Sequence, residues 1–537
     1  MHASDLRLDV VSPLPPVRSG IADYTLDLLP ELAARADVRL VRLPGQPVAP
    51  EVEARWRPVP AEEAGADGRL PLYQMGNNHH HAGVLALALA RPGVLTLHDL
   101  VLHHLLLDQT LGSGEYEPYE ERLAADHGWI GRATARGKRW GAYGEAPTFA
   151  LPAQRTLLRR QRGVLVHSAW AAAVVREDDP ELRVRQVPMG IPLPPPADRA
   201  AGWAVRRRFG VADDAPVAGS FGFQTPIKRT EAAIAALAAP GLERLHLLVV
   251  GEVAWQVDLM GAARAAGVAD RVHVTGFVEY AEFAAAIAAT DLCLNLRYPT
   301  AGETSASLLR VLAAGRPAVV SDYAQFVDLP DEVAVHVPLG AGEAEALAAR
   351  LRELLADPAR LAAMGEAARE HVRCEHDPAR AADAIVEACR GFRELPPLPE
   401  RPAAPPPPTS LTWHELPGRL EVEGAAGPWA PGERRRLRLR LANTGFARGL
   451  AGTSGPGGVA VVVRLYVEGP EGRSDLLGDR RWLPLPRDLA PGEETVLETE
   501  VRRPPGPAQL WVEPHVFQGL DGRGFSELGG PWWAREI

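Results

Sequence analysis

The sequence predicts an α/β chain in which two parallel-sheet domains stand in tandem and a smaller all-β domain follows. Three observations carry this. Short apolar runs alternate with stretches of helical spacing in the first part, the same pattern restarts after "VPMGIPLPPPADRA", and beyond a proline-rich stretch the apolar period drops to two. At 537 residues the chain exceeds what one core can serve and suits roughly three domains of about 150 residues. The expected boundaries are 1–190, 191–395, a linker at 396–409, and 410–537.

The first unit opens with "LRLDVVS", a strand ending in a turn-rich loop, and continues into the helical spacing of "IADYTLDLLPELAARA". Further strands are expected in "DVRLVRL", "LPLYQM", "GVLTLH" and "GVLVHS", with crossover helices between them. In the second domain the order is "PVAGSFG", a helix in "TEAAIAALAAP", "LHLLVVGE", "RVHVTGFV", a helix in "AEFAAAIAA", "LCLNLRYP", a helix from Ser305, and "PAVVSD". Long helical stretches from Glu343 to Phe392 close it, and "LPPLPERPAAPPPPTS" reads as a semi-rigid spacer. The last part alternates apolar and polar residues in "RRRLRLRLANTG" and "VAVVVRLYVEG", as expected of an antiparallel sandwich of immunoglobulin-like type. It holds six of the twelve tryptophans (Trp413, Trp429, Trp482, Trp511, Trp532, Trp533), and filling the core is the expected use of most of them.

Composition excludes several classes. A net charge of −10 offers no basic excess for nucleic acid. Three cysteines, Cys293, Cys374 and Cys389, form no close pair and fit a reducing compartment. The start lacks a basic segment followed by a long apolar one, so a cytoplasmic protein is expected, with peripheral contact at the inner face of a membrane left open.

Chemistry is expected in the loops. "SPLPPVRSGIADYT" sets Arg18, Ser19 and Gly20 before a helix, where free N–H groups and the dipole favour an anion; a turn kept for geometry fits equally. The dinucleotide fingerprint G-x-G-x-x-G is missing there, which weighs against a dinucleotide-dependent oxidoreductase. "YQMGNNHHHAG" and "LHDLVLHHLLLD" contain His79 to His81 and the pair His98/Asp99, without a trusted metal-ligand spacing. His98 and Asp99 end a strand and should project into a crevice, able to bond a hydroxylated ligand. "SFGFQTPIKRTEAAI" places Lys228 and Arg229 at a helix start, where cations are unfavourable unless an anion accompanies them. In "RYPTAGETSASLLRVLAAGRPAVVSD", Thr304, Ser305 and Ser307 can present N–H groups and hydroxyls to a phosphate, with Glu303 reaching sugar-like hydroxyls; an ordinary capped helix is the plain alternative.

Taken as an ordered series, "SPLPPVRSGIADY", "YQMGN", "LHD", "VHSAW", "VPMGI", "FGFQTPIKR" and "VHVTGFVEYAEFAAAIAATDLCLNLRYPTAGETSASLLRVLAAGRPAVVSD" resemble the retaining glycosyltransferases of family 4, over residues 6–392. That resemblance implies the GT-B architecture of two Rossmann-like domains facing a cleft, the first on the acceptor side and the second on the donor side. It implies a nucleotide-diphosphate sugar donor, transfer with retention to a glycan or lipid-linked acceptor in bacterial surface-polysaccharide synthesis, and no cofactor or obligatory metal. It further implies catalytic roles for Glu303, His98 and Lys228. Gly20, Arg229, Thr304 and Ser305 would lie at the diphosphate, and Gly276, Phe277 and Val278 along the base. One departure stands out: the second carboxylate of the family's Glu, seven residues, Glu pattern falls here on Arg310 or Val311. A non-catalytic sugar- or nucleotide-binding protein, a sugar-nucleotide epimerase and a phosphorylase remain the rival classes.

Overall fold

The computed structural model describes residues 6–139, 144–195, 198–399, 418–445, 447–452, 457–469, 472–518, 521–528 and 530–537. The chain divides into two compact units, 1–127 with 131–401, and 128–130 with 402–537. Most of the expected proline-rich linker, and Trp413, lie outside the described residues.

The first unit contains two parallel sheets. One is built from β1 (Arg7–Val11), β2 (Asp37–Arg42), β3 (Val59–Pro60), β4 (Leu70–Met75), β5 (Val94–Leu97), β6 (Gly163–Val166) and β7 (Val184–Gln186), in the order β3-β2-β1-β4-β5-β6-β7. The other is built from β8 (Val217–Phe221), β9 (His246–Val250), β10 (Val272–Val274), β11 (Leu292–Asn295), β12 (Ala318–Ser321) and β13 (Ala334–Val337), in the order β10-β9-β8-β11-β12-β13. Nearly every residue of the central strands β4, β5, β6, β8, β11 and β12 is buried, because helices cover both faces, and this explains their mostly apolar composition without in–out alternation. Each sheet reverses its winding once, between β1 and β4 and between β8 and β11. Loops leaving those strands open a crevice. These are the loops that the sequence singled out.

Sequence position assigns the helix Pro378–Phe392 to the second half, yet it packs on the first sheet. The Phe392 ring fills the space beside Gly163, where an added Cβ would come within 2.2 Å of it, and Gly190 admits Pro378 and Ala381 in the same way. Asp377 caps this helix through the Arg380 N–H at 2.9 Å. Below the first sheet Asp9, wholly buried, accepts from Arg39 at 2.9 Å, Arg69 at 2.6 Å and the Gly65 N–H at 2.8 Å.

The second unit pairs a three-stranded antiparallel sheet (Gly418–Glu423, Arg434–Asn443, Glu494–Arg502) with a larger mixed sheet centred on Gly458–Gly469 and Ala508–Gln518. Leu437, Leu439 and Leu441 alternate inward against Val459, Val461, Val463, Leu510 and Val512. The expectation for the tryptophans needs correcting. Trp429 is in this core and Trp533 packs against it, but Trp482, Trp511 and Trp532 are not part of it. The register sets Val462 opposite Trp482 and Arg464 opposite Trp511, on the face away from the inward valines. There Trp511 stacks on Trp532 at 4.6 Å.

Candidate functional site

The donor-side loops converge from the residues upward. After β8, Gly222 adopts φ +92°, and a side chain there would meet the Lys228 ammonium at 3.1 Å and Ser307 Oγ at 3.7 Å. Lys228 is buried in the short turn Pro226–Lys228 and donates to the Phe221 carbonyl. Burial first, and then the charge of Arg297, hold its pKa well below the usual lysine range, against the opposing pull of Cys293 and Glu303. Among the described residues it has no ion-pair partner. Arg229 follows in a left-handed conformation, φ +51°, and its Nε lies 2.8 and 2.6 Å from the two oxygens of the buried Glu343 carboxylate. The two adjacent cations therefore diverge: Lys228 faces the crevice and Arg229 is bound to Glu343.

Ser305 caps the helix Ala306–Ala313, its Oγ accepting the Leu308 N–H at 3.3 Å and lying 3.2 Å from Ser307 Oγ. Thr304 is half-buried just before it. The Glu303 carboxylate is turned into its own loop. Oε2 accepts from Thr300 Oγ1 and the Ala301 N–H, both at 3.1 Å, and Oε1 pairs with Arg297 at 3.2 Å. Gln325 donates to the Glu303 carbonyl at 2.7 Å and locks the turn. Gly276 takes φ +71°, and its carbonyl accepts the Gly251 N–H at 3.1 Å. Phe277 stays 44% exposed, with the Arg18 guanidinium 4.0 Å above its ring, and Val278 packs on the core.

From the first half, Gly20 opens the helix Gly20–Ala33 with open space around it. His98 is buried, bonded to Gln74 at 2.8 Å, with Tyr24 and His167 rings 5.1 and 5.0 Å away. Burial, with His167 and His81 as lesser causes, holds its pKa far below the ordinary histidine value, so the ring is neutral. Asp99 feels the charges of Glu303 and Arg297 from the second half. Its Oδ2 accepts the Asn77 N–H at 3.0 Å, and the next two residues, Leu100 and Val101, donate to the Ala301 carbonyl at 2.7 and 3.0 Å. Gly302, φ +82°, leaves room for the Leu100 side chain. The two halves thus meet beside Glu303. His81 is buried in the turn His79–His81 against Asn78, and no metal-holding group occurs among the described residues.

The question of Arg310 against Val311 is settled by the helix face. Val311 is fully buried in the core, while Arg310 crosses to Asp27 of the first half at 2.7 Å and lies 5.4 Å from the Tyr280 ring. Sequence reasoning missed Asp27 and the Arg18–Phe277 stack. The available signal was Asp23 and Asp27, spaced i, i+4 and therefore on one face of the first helix.

Comparison with known proteins agrees with this geometry. Residues 229–387 match the family described as glycosyl transferase-like. No curated protein matches the chain by sequence. Among solved structures, sucrose-phosphate synthase from Thermosynechococcus elongatus is similar at 18% identity and a TM-score of 0.51, over 72% of this chain and 98% of that one. HepE from Anabaena, solved with UDP and glucose, is similar at 16% identity and a TM-score of 0.51, over 72% of this chain and all of that one. The same protein with UDP-glucose gives 16% identity and a TM-score of 0.50, with the same coverage. With two Rossmann-like sheets around one crevice the chain has the GT-B architecture, and its residues 229–387 are similar to the glycosyl transferase-like family.

Proposed function

We propose that the protein transfers a sugar from a nucleotide-diphosphate donor to a glycan or lipid-linked acceptor, with retention, in the making of a cell-surface polysaccharide. The observation that carries the donor assignment is Lys228. A buried ammonium without a carboxylate partner, beside Gly222 and the capped start of Ala306–Ala313, is an incomplete ion pair that a diphosphate would complete. As the bond to the sugar breaks, negative charge grows on the leaving diphosphate, and a fixed cation with helix N–H groups stabilises that state more than the ground state. Thr304, Ser305 and Ser307 would meet the distal phosphate, with Gly20 opposite. Phe277, between Gly276 and Val278, offers an exposed ring to a base. Glu303 keeps free lone pairs for sugar hydroxyls, and its bonds within the loop fix their direction. Arg229 acts through Glu343, which holds the turn that carries Lys228. His98, neutral and buried, would support the wall beside the sugar. The binding of UDP and UDP-glucose by HepE supports a uridine donor.

The test is release of nucleoside diphosphate from a panel of UDP-, ADP- and GDP-sugars by the full chain, with product stereochemistry followed by NMR. UDP release from a UDP-sugar is expected. Tight binding of a sugar nucleotide without turnover on any acceptor would instead favour a non-catalytic binding protein.

A further inference from the structure

The two outer faces of the second unit differ. On the three-stranded sheet the outward residues of Arg434–Asn443 include Arg434, Arg436, Arg438 and Arg440, paired with Glu500 at 2.8 Å, Glu498 at 3.7 Å, Glu423 at 3.7 Å and Glu494 at 2.8 Å. Such a face is satisfied by its own charges and by water. The outward face of the larger sheet is aromatic instead. Trp511 stacks on Trp532 with the rings 2° from parallel, and Tyr466 meets Trp511 edge-on at 6.2 Å. Further along the same strand, His515 and Phe517 hold the Trp482 ring at 5.3 and 5.2 Å. Trp532 is 53% exposed and Trp482 37%. We propose that this face is a glycan-binding site, on which the indoles of Trp532 and Trp482 stack against the C–H faces of β-linked glucose or N-acetylglucosamine rings.

Three features single out a sugar as the occupant. The exposed rings are fixed in advance: Trp511 sets the plane of Trp532, and Trp482 rests on His515, whose Nε2 lies 2.7 Å from Arg464 Nη2 and 3.2 Å from Glu513 Oε1. A ring already held in place loses little entropy on binding. The two aromatic groups are spaced along one strand. Trp511 and Phe517 lie six positions apart on Ala508–Gln518 and share its outward side, which sets them about 20 Å apart, the length of a short oligosaccharide. Polar groups border the rings. The Arg473 guanidinium lies 4.9 Å from the Tyr466 ring and bonds Gln509, and that of Arg480 lies 6.0 Å from the Trp482 ring and pairs with Asp475. A wholly apolar partner would strip these groups of water without return. A pyranose instead offers C–H groups to the indole face, and hydroxyls in its own plane to the guanidiniums beside it. Clustered exposed aromatic surface with a polar border marks a binding face. Only the second unit is needed, so the site stands whether or not the first unit transfers sugar.

Calorimetry of the full chain with cellohexaose and with chitohexaose tests this. Saturable binding of at least one is expected, with tryptophan emission shifted to the blue as the indoles lose water. Trp532→Ala and Trp482→Ala should each weaken binding by about tenfold or more, with Tm and UDP affinity as in wild type, since neither ring belongs to the core of the unit. Trp532→Phe should keep part of the affinity and Trp532→Leu should lose it, because leucine is apolar but has no flat ring to stack. Equal binding by these two variants would show that the face takes any apolar group and would overturn the stacking site. Wild-type affinity in both alanine variants would overturn the assignment to this face, and no binding of either oligosaccharide at millimolar concentration would overturn the glycan site itself. If the wild type dimerises in sedimentation and Trp532→Ala does not, the occupant is a second copy of the chain and the glycan assignment is wrong.

Discussion

At the residue scale, Lys228 and Glu303 should separate in their effects. A charge-assisted bond to phosphate contributes roughly 1.5–3 kcal/mol. Lys228→Ala should therefore weaken UDP binding by about ten- to a hundredfold in calorimetry without lowering Tm, because the ammonium is desolvated and, among the described residues, its one hydrogen-bond partner is the Phe221 carbonyl. Glu303→Gln should leave UDP affinity nearly unchanged and reduce transfer from the sugar nucleotide, since free UDP has no sugar for Glu303 to hold. Equal loss in both measurements would mean that the residue holds the loop, where Arg297, Thr300 and Ala301 already engage it.

At the element scale, the helices Gly20–Ala33 and Ala306–Ala313 face one another through Asp27 and Arg310. Arg310→Glu would set like charges against Asp27 across the crevice. UDP affinity should fall, and the swapped pair Asp27→Arg with Arg310→Glu should recover it; no recovery would show that Arg310 acts on the ligand directly. Beneath β1 the Asp9 network makes a different prediction. Burial alone would raise the Asp9 carboxyl, but Arg39, the Gly65 N–H and Arg69 more than offset it, so its pKa lies below the usual value. A depressed carboxyl contributes stability that is fully present above its unfolded pKa, near 3.8, and is lost as pH falls through the lower folded value. Asp9→Ala leaves two arginines facing an empty buried site and should cost about 3–5 kcal/mol in denaturant unfolding at pH 7. At a pH below the folded value the difference should shrink.

At the scale of the whole molecule, the two compact units have separate cores, one around the parallel sheets and one around Leu439, Val461 and Val512. Residues 1–401 expressed alone should bind UDP with the affinity of the full chain. An insoluble or non-binding fragment would show that the β unit supports the α/β unit.

The sequence by itself determined the order of elements and the loops that matter. Buried parallel strands need continuous apolar runs, helices need the 3.6 period, and sheet reversal places the loops after β1, β4, β8 and β11 at the crevice, so these signals are local and written in the chain. It could not say which side chains of a motif face the ligand. Lys228 and Arg229 are neighbours with the same charge, and only the left-handed turn and the distant Glu343 send them to different partners. His98 and Asp99 are neighbours too, and the turn after β5 sends one to Gln74 and the other to the Asn77 N–H. The pairing of Arg310 with Asp27, 283 residues apart, and the exposure of Trp482 and Trp532 on the outer face of a sheet depend on register and packing between distant segments. Those are decided when the chain closes on itself, because a side chain's direction follows from its backbone and its partner from tertiary contact.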